Sequence, residues 1–275
     1  MKLEGIKRKI NHFIYPIQGE LWCLHRVVQV RSRYPSNREL EVEPEYLESL
    51  IIQCKNQGYA FVSIDELLSR QRVLFPQKRI NITFDDGFED VYTEAFPIFT
   101  KYQIPFTLYL TTGFPDGTAD LWWLQLEKDR SDSDFEQMMS CVYKTGAPMN
   151  VVMHELTNTV PDYSICKQSA LSWHEIQEMV NSGLCTIGSH TVSHPGLTRI
   201  KEDLVKEELS ESKARIQEML HVEVKHFSYP HSMQNKNIQT LVKESGYDSA
   251  VIGYGGCIRK YDNKYCINRK HIVQP

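Results

Sequence analysis

Seven short apolar runs punctuate the chain: LWCLH (21–25), YAFVSI (59–64), RINITF (79–84), PFTLYLTTG (105–113), CTIGSH (185–190), HFSYP (226–230) and YDSAVIG (247–253). Helical spacing fills many of the gaps between them. In PEYLESLIIQCKNQG (44–58), Tyr46, Leu47, Leu50, Ile51 and Cys54 recur every 3.6 residues and Gly58 ends the pattern. VYTEAFPIFTKY, HEIQEMVNSG (174–183), residues 201–220 and NKNIQTLVKESG read the same way. Pro97, inside the first of these, must bend its helix or lie in its first turn. Strands that return through helices become parallel neighbours with right-handed crossovers. About seven of them in one unit favour closure, so the expected fold class is α/β, a closed or nearly closed (β/α) barrel of parallel strands. We expect a single domain over residues 1–275, with the irregular stretch at about 114–170 as an insertion that shapes a substrate groove.

Composition excludes several classes. A formal net charge of −4 gives no general attraction to nucleic acid. No run of about 18 apolar residues marks a membrane span. The N-terminus lacks an apolar core followed by a small-residue cleavage site, so a cytoplasmic location is expected. Lys7, Arg8 and Lys9 beside Ile6, Ile10, Phe13 and Ile14 allow weak membrane-surface contact. Seven cysteines, odd in number and without a CxxC pair, fit neither a disulfide framework nor a cysteine zinc site.

Chemistry concentrates at three expected strand ends. Asp85-Asp86-Gly87 follows RINITF, the segment SHTVSH (189–194) follows CTIG, and His25 follows LWCL. Barrels of this kind gather their chemistry at the C-terminal ends of the strands. His190 and His194, four residues apart on a helical turn, place two imidazoles on one side, and a carboxylate from another strand end completes three ligands. A divalent ion so held keeps an open position, lowers the pKa of a water and polarises a carbonyl. Two imidazoles favour Zn2+, although Co2+, Ni2+ or Fe2+ suit the same shell.

TFDDG (83–87) and SHTVSH (189–194) resemble the first two motifs of the polysaccharide deacetylase family, the NodB-homology domain of carbohydrate esterase family 4. PFTLYLTTGF (105–114) and LSWHEIQEMVNSGLCTIGSHTVSH (171–194) extend the likeness, which runs from about Leu21 onward. The resemblance implies an irregular (β/α) barrel that removes acetyl groups from sugars with a divalent metal. It implies Asp85 as catalytic base, and Asp86, His190 and His194 as metal ligands. The third motif usually carries an arginine that orients the base. Here it reads FSYPHS (227–232), with Ser228 in the arginine's place and His231 in that of a tyrosine. That form is similar to the exopolysaccharide branch of the family, whose circular permutation puts the general acid at the front, implying His25. His271 is the alternative. Tyr229, Pro230 and His231 are expected beside the substrate. Trp173 resembles a family tryptophan near the acid, and Trp122 and Trp123 are sugar platforms or clamps for the insertion.

The expected activity is metal-dependent hydrolysis of the acetamide of an N-acetylated sugar in a surface polysaccharide or glycolipid precursor. Two alternatives stay open: an inactive carbohydrate-binding barrel, favoured only by the missing arginine, and a metal hydrolase of another amide. Oligomeric state is not legible in the sequence.

Overall fold

Alternation within the strands explains how this chain closes on itself. In the computed structural model, which describes residues 17–69, 78–129, 162–259 and 262–275 with isolated positions between 130 and 161, seven strands pair in parallel. They are β1 (Ile17–Leu24), β2 (Arg79–Phe84), β3 (Phe106–Leu110), β4 (Cys185–Ser189), β5 (His226–Ser228), β6 (Ser249–Gly255) and β7 (Ile267–His271). β1 bonds to both β2 and β7, which closes the ring.

Successive side chains of a strand point to opposite faces. Trp22, Leu24, Ile80, Ile82, Phe84, Phe106 and Leu108 form one buried cluster with residues of the surrounding helices. The alternate positions meet in the interior, which is more polar. The Thr107 hydroxyl donates to Asn81 Oδ1 at 2.8 Å, Asn81 Nδ2 to the Val62 carbonyl at 2.8 Å, and Thr83 to the Trp22 carbonyl at 2.8 Å. Leu21, Tyr109, Val251 and Ile267 belong to a second buried cluster. Gly188 makes room for this cluster, since a Cβ there would stand 2.5 Å from the Tyr109 ring. RINITF thus carries both faces in one word: Ile80, Ile82 and Phe84 pack outward while Asn81 and Thr83 bond inward. Each fully buried large apolar side chain contributes roughly 1.5–3 kcal/mol, so the helix-covered outer layer stabilises the closure.

The helices form where their apolar spacing and end signals agree. α1 (Pro44–Asn56) starts on Pro44 and buries Leu47 and Ile51. α2 (Phe96–Tyr102) keeps Pro97 in its first turn, and the preceding residues Val91–Ala95 widen into a π-turn. α3 (Trp122–Asp129) lies in the expected insertion. α4 (Trp173–Asn181) opens on a capping box formed by Ser172 and Glu175. α5 (Glu202–Leu220) buries Val205, Leu209, Ser212, Ile216 and Leu220, and α6 (Lys236–Glu244) buries Ile238, Leu241 and Val242.

Two sequence expectations change. YAFVSI contributes only the two-residue strand Ala60–Phe61, which pairs with β2 outside the closed ring. Ala60 is exposed, and Ser63 ends the run by capping the next helix through Glu66 N. The seventh barrel strand is INRKH (267–271), whose polar composition hides its role because Arg269 faces inward at 1% exposure. Of residues 114–170, the described parts form α3 and the short helices Gly113–Asp116 and Tyr163–Ser169. The basic N-terminal segment lies outside the described residues. Among those described, no helix is long and apolar enough to cross a membrane.

Candidate active site

Strand register sets the site. Leu24 pairs with Phe84 across β1 and β2, and Cys23 pairs with His271 across β1 and β7. Continuing the alternation, Cys23 and His25, Asp85, and Arg269 and His271 all face inward at the C-terminal mouth of three adjacent strands. They line a cleft of about 300 Å³ with Asp86, His190, His194, Trp122, Trp123 and Tyr254. A larger recess of about 450 Å³ lies elsewhere, lined by Asp65, His226, Ser249 and Arg259. Its imidazole is already bonded on both nitrogens, to Ser249 at 2.8 Å and Asp65 at 3.3 Å, so it offers no convergent reactive group.

Asp85 and Asp86 reach the same cleft by different backbone routes. Asp85 continues the strand alternation inward, its N–H still donating to the Leu24 carbonyl at 3.2 Å. Simple alternation would turn Asp86 outward. Its φ of 73° is left-handed and reverses the chain, followed by Gly87 at φ 104°. A non-glycine residue in that region costs of order 1–3 kcal/mol, which the surrounding bonds sustain, among them Thr111 N–H to the Asp86 carbonyl at 3.0 Å.

Asp86 Oδ1 lies 3.5 Å from His190 Nε2 and 3.2 Å from His194 Nε2, and one donor atom from each of the three residues falls within 4.8 Å of the others. All three are buried. His190 Nδ1 lies 2.8 Å from the Ser228 carbonyl. A carbonyl only accepts, so Nδ1 carries the proton and Nε2 presents a lone pair. Burial lowers the His190 pKa to about 4, with Asp85 opposing, which keeps the ring neutral. A lone pair therefore faces a carboxylate oxygen, an arrangement that a bound cation would satisfy and that protein groups alone leave repulsive. The donor set of two imidazoles and one carboxylate fits a catalytic zinc-type ion.

The turn that carries the histidines is held from outside. Thr191 and His194 have φ of 73° and 59°. Glu208, on α5, accepts from Val192 N at 2.7 Å, Ser193 N at 3.0 Å and the Ser193 hydroxyl at 2.5 Å. We expect Glu208→Ala to weaken zinc affinity roughly 10–100-fold, the usual effect of removing a group that orients ligands. Chelator competition measures this, and unchanged affinity would remove Glu208 from that role.

The arginine absent from position 228 is replaced from β7. Arg269 Nη1 donates to Asp85 Oδ1 at 2.7 Å and Nη2 to Oδ2 at 2.6 Å, a bidentate buried pair. Ser228 completes it, donating to Asp85 Oδ2 at 3.1 Å while accepting from Arg269 at 3.0 Å. Thr83 and the Ile252 carbonyl take the remaining guanidinium donors at 2.9 and 3.0 Å. Burial would raise the Asp85 carboxyl, but the Arg269 guanidinium outweighs it and holds that pKa well below the usual carboxylate range. Burial would raise Asp86 as well, but His194 in contact with it outweighs that and lowers it to about 2.

His25 sits beside Asp85, and its ring centre is 5.9 Å from that of His271. Burial lowers both imidazoles, His271 to about 4, while Asp86 and Asp85 pull His25 back up. Tyr229 and His231 line the cleft and Pro230 does not. Tyr229 is anchored by its hydroxyl to the Tyr265 carbonyl at 2.9 Å, and the His231 ring packs 4.6 Å from His194. Trp173 lies apart from the cleft. Its indole donates to Asp116 at 2.8 Å and stacks under Arg215, so it braces α4. Trp122 and Trp123 are buried, and Trp123 packs on Phe88, Phe114 and His194, supporting one of the two cleft histidines. Sequence reasoning missed Arg269, Cys23 and Tyr254. For Arg269 the available signal was an arginine flanked by alternating residues in a late strand-length run.

A family model described as polysaccharide deacetylase matches residues 73–250. A Bacillus subtilis protein named as a polysaccharide deacetylase, YxkH, is 21% identical over 239 residues, covering 86% of this chain and 67% of that protein. The poly-beta-1,6-N-acetyl-D-glucosamine N-deacetylase of Staphylococcus aureus is 33% identical over 84 residues, 29% of either protein. Among solved structures, the Streptococcus pyogenes deacetylase PplD in complex with acetate superposes with a TM-score of 0.69 at 20% identity, over 92% of each chain. IcaB from Ammonifex degensii gives 0.66 at 21%, over 93% of this chain and 92% of its own. These structural likenesses speak for the shared barrel.

Proposed function

The chain belongs to the polysaccharide deacetylase family, and from that premise we propose that it hydrolyses the acetamide of an N-acetylated sugar in a surface polysaccharide or glycolipid precursor. The observation that carries this reading is the buried donor set Asp86, His190 and His194 beside a second carboxylate, Asp85, that is paired separately. The three donors would hold a divalent ion, most simply Zn2+, which when bound supplies Lewis acidity toward the acetamide carbonyl and a water.

The remaining steps belong to side chains. Asp85, kept ionised by Arg269 and Ser228, accepts a proton from the attacking water. His25 gives a proton to the departing nitrogen as the carbon–nitrogen bond breaks, yielding acetate and a free amine. Register supports His25 over His271, since it puts His25 directly beside Asp85, where Cys23, His25 and Asp85 fall within 4.8 Å of one another. Tyr229 and His231 form one wall. Tyr254, 59% exposed at the lip, offers an aromatic face to a neighbouring sugar ring. Tyr254→Ala is expected to raise KM for an oligosaccharide roughly 3–10-fold with kcat little changed, the scale of one aromatic contact. An unchanged KM would put the neighbouring sugar elsewhere.

The inactive-barrel alternative rested on the missing arginine, and Arg269 leaves it without support. Acetate release tests the proposal directly. The first substrates are β-1,6-linked N-acetylglucosamine oligomers, because one relative is named for that polymer, followed by other N-acetylated sugars and lipid-linked forms. We expect release that disappears on chelation and returns with Zn2+ or Co2+. A panel with no release under any metal would overturn the reading.

A further inference from the structure

We propose that Cys23, His25 and Asp85 form a second, weaker divalent-metal site, selective for thiophilic ions, whose filling stops the reaction. Three observations carry it. One ligand atom of each residue lies within 4.8 Å of the others, the same limit met by Asp86, His190 and His194. His25 Nδ1 is buried with no hydrogen-bond partner. Cys23 is 1% exposed on the inward face of β1 and forms no disulfide. Around zinc, bonds of about 2.0–2.3 Å place ligand atoms roughly 3.3–3.8 Å apart, so closing this set takes small side-chain shifts.

Electrostatics make the site secondary. Arg269 already occupies Asp85 with two hydrogen bonds, so a cation there meets a fixed positive charge and competes for one remaining lone pair. Burial raises the Cys23 thiol to about 12, and binding must release that proton to solvent as the thiolate joins the ion. Thiophilic ions repay this cost best. Filling the site would remove Asp85 as base and His25 as acid together. The inhibitory part of the proposal rests on the deacetylase reading, whereas the binding part does not.

Cobalt separates the two. The Asp86, His190, His194 set contains no sulfur, so thiolate-to-cobalt charge-transfer absorption in the near ultraviolet arises only through a cysteine. Titration of metal-free protein with Co2+ should give a first equivalent without that band and a later, weaker equivalent with it. Cys23→Ser and Cys23→Ala should keep the first and lose the second, with circular dichroism confirming the fold, and His25→Ala should weaken the second. Excess Zn2+ should lower acetate release in the wild type by at least about 100-fold at full occupancy, the lower end of what a positioned acid or base contributes, and leave each Cys23 variant at its own one-equivalent rate. Absence of the band, or its survival in both Cys23 variants, overturns the site. If acetate is never released, the deacetylase reading fails while the cobalt spectrum still decides the site.

Discussion

Asp85→Asn should lower kcat for acetate release by roughly 10²–10⁴-fold, the contribution typical of a positioned general base. Asparagine matches the carboxylate in shape and can accept one hydrogen bond from Arg269, but it cannot take a proton from water. Metal content should stay near that of the wild type, because the proposed ligand set Asp86, His190 and His194 does not include Asp85, which is paired with Arg269. The substitution also leaves the guanidinium buried without a counter-charge, so a fall in melting temperature accompanies it. Measuring kcat well below that temperature, with metal content beside it, separates chemistry from unfolding. Wild-type turnover with a normal metal load would remove Asp85 from the base role.

Arg269→Met is the second large effect, and it acts on stability and on pH together. Removing one partner of a buried pair costs about 3–5 kcal/mol, which in a chain of this size corresponds to roughly 6–20 °C in Tm. Without the guanidinium, burial is the main influence left on Asp85, and its carboxyl rises. In the wild type the depressed folded-state value means that the pair stabilises above the unfolded pKa of about 3.9 and loses that contribution as pH falls below it. The difference in stability between wild type and Arg269→Met should therefore be large at pH 7 and shrink as pH falls, first through the raised Asp85 carboxyl of the variant and then, below about pH 4, as the wild-type pair loses its contribution. The acidic limb of kcat/KM should move to higher pH in the variant. In a double-mutant cycle, Arg269→Met with Asp85→Asn should cost less than the sum of the two single changes, because neither leaves a lone buried charge. Additive costs, with an unmoved acidic limb, would mean that Arg269 does not tune Asp85.

Much of the architecture was legible because it is encoded locally. The alternation in RINITF, the capping box at Ser172 and Glu175, and the buried stripe of residues 201–220 each express a period that a strand or helix must obey. The reading failed where local period and tertiary role diverge. YAFVSI has strand composition, yet Ser63 caps a helix and only Ala60 and Phe61 pair. INRKH looks unlike a buried strand because its interior position carries a guanidinium satisfied by groups on β2, β5 and β6.

The candidate site divides along the same line. Asp85, Asp86, His190 and His194 announce themselves by short spacing, since adjacency and a four-residue interval are properties of the chain itself. That both aspartates serve one cleft was also foreseeable, although the means was not: Asp86 returns through a left-handed turn. Trp173 was assigned by likeness of position and stands against Asp116 and Arg215 instead.

By itself, then, the sequence determined a parallel strand–helix barrel with a carboxylate and histidine cluster at its strand ends, because hydrophobic period and motif spacing act over a few residues. Only the tertiary structure decided what holds Asp85. Arg269 stands 184 positions away in the chain, and it reaches the carboxylate because β1 bonds to both β2 and β7 in a register that turns Asp85 and Arg269 inward at the same mouth. Spacing along the chain carries no record of that closure, since it arises from which strand edges meet.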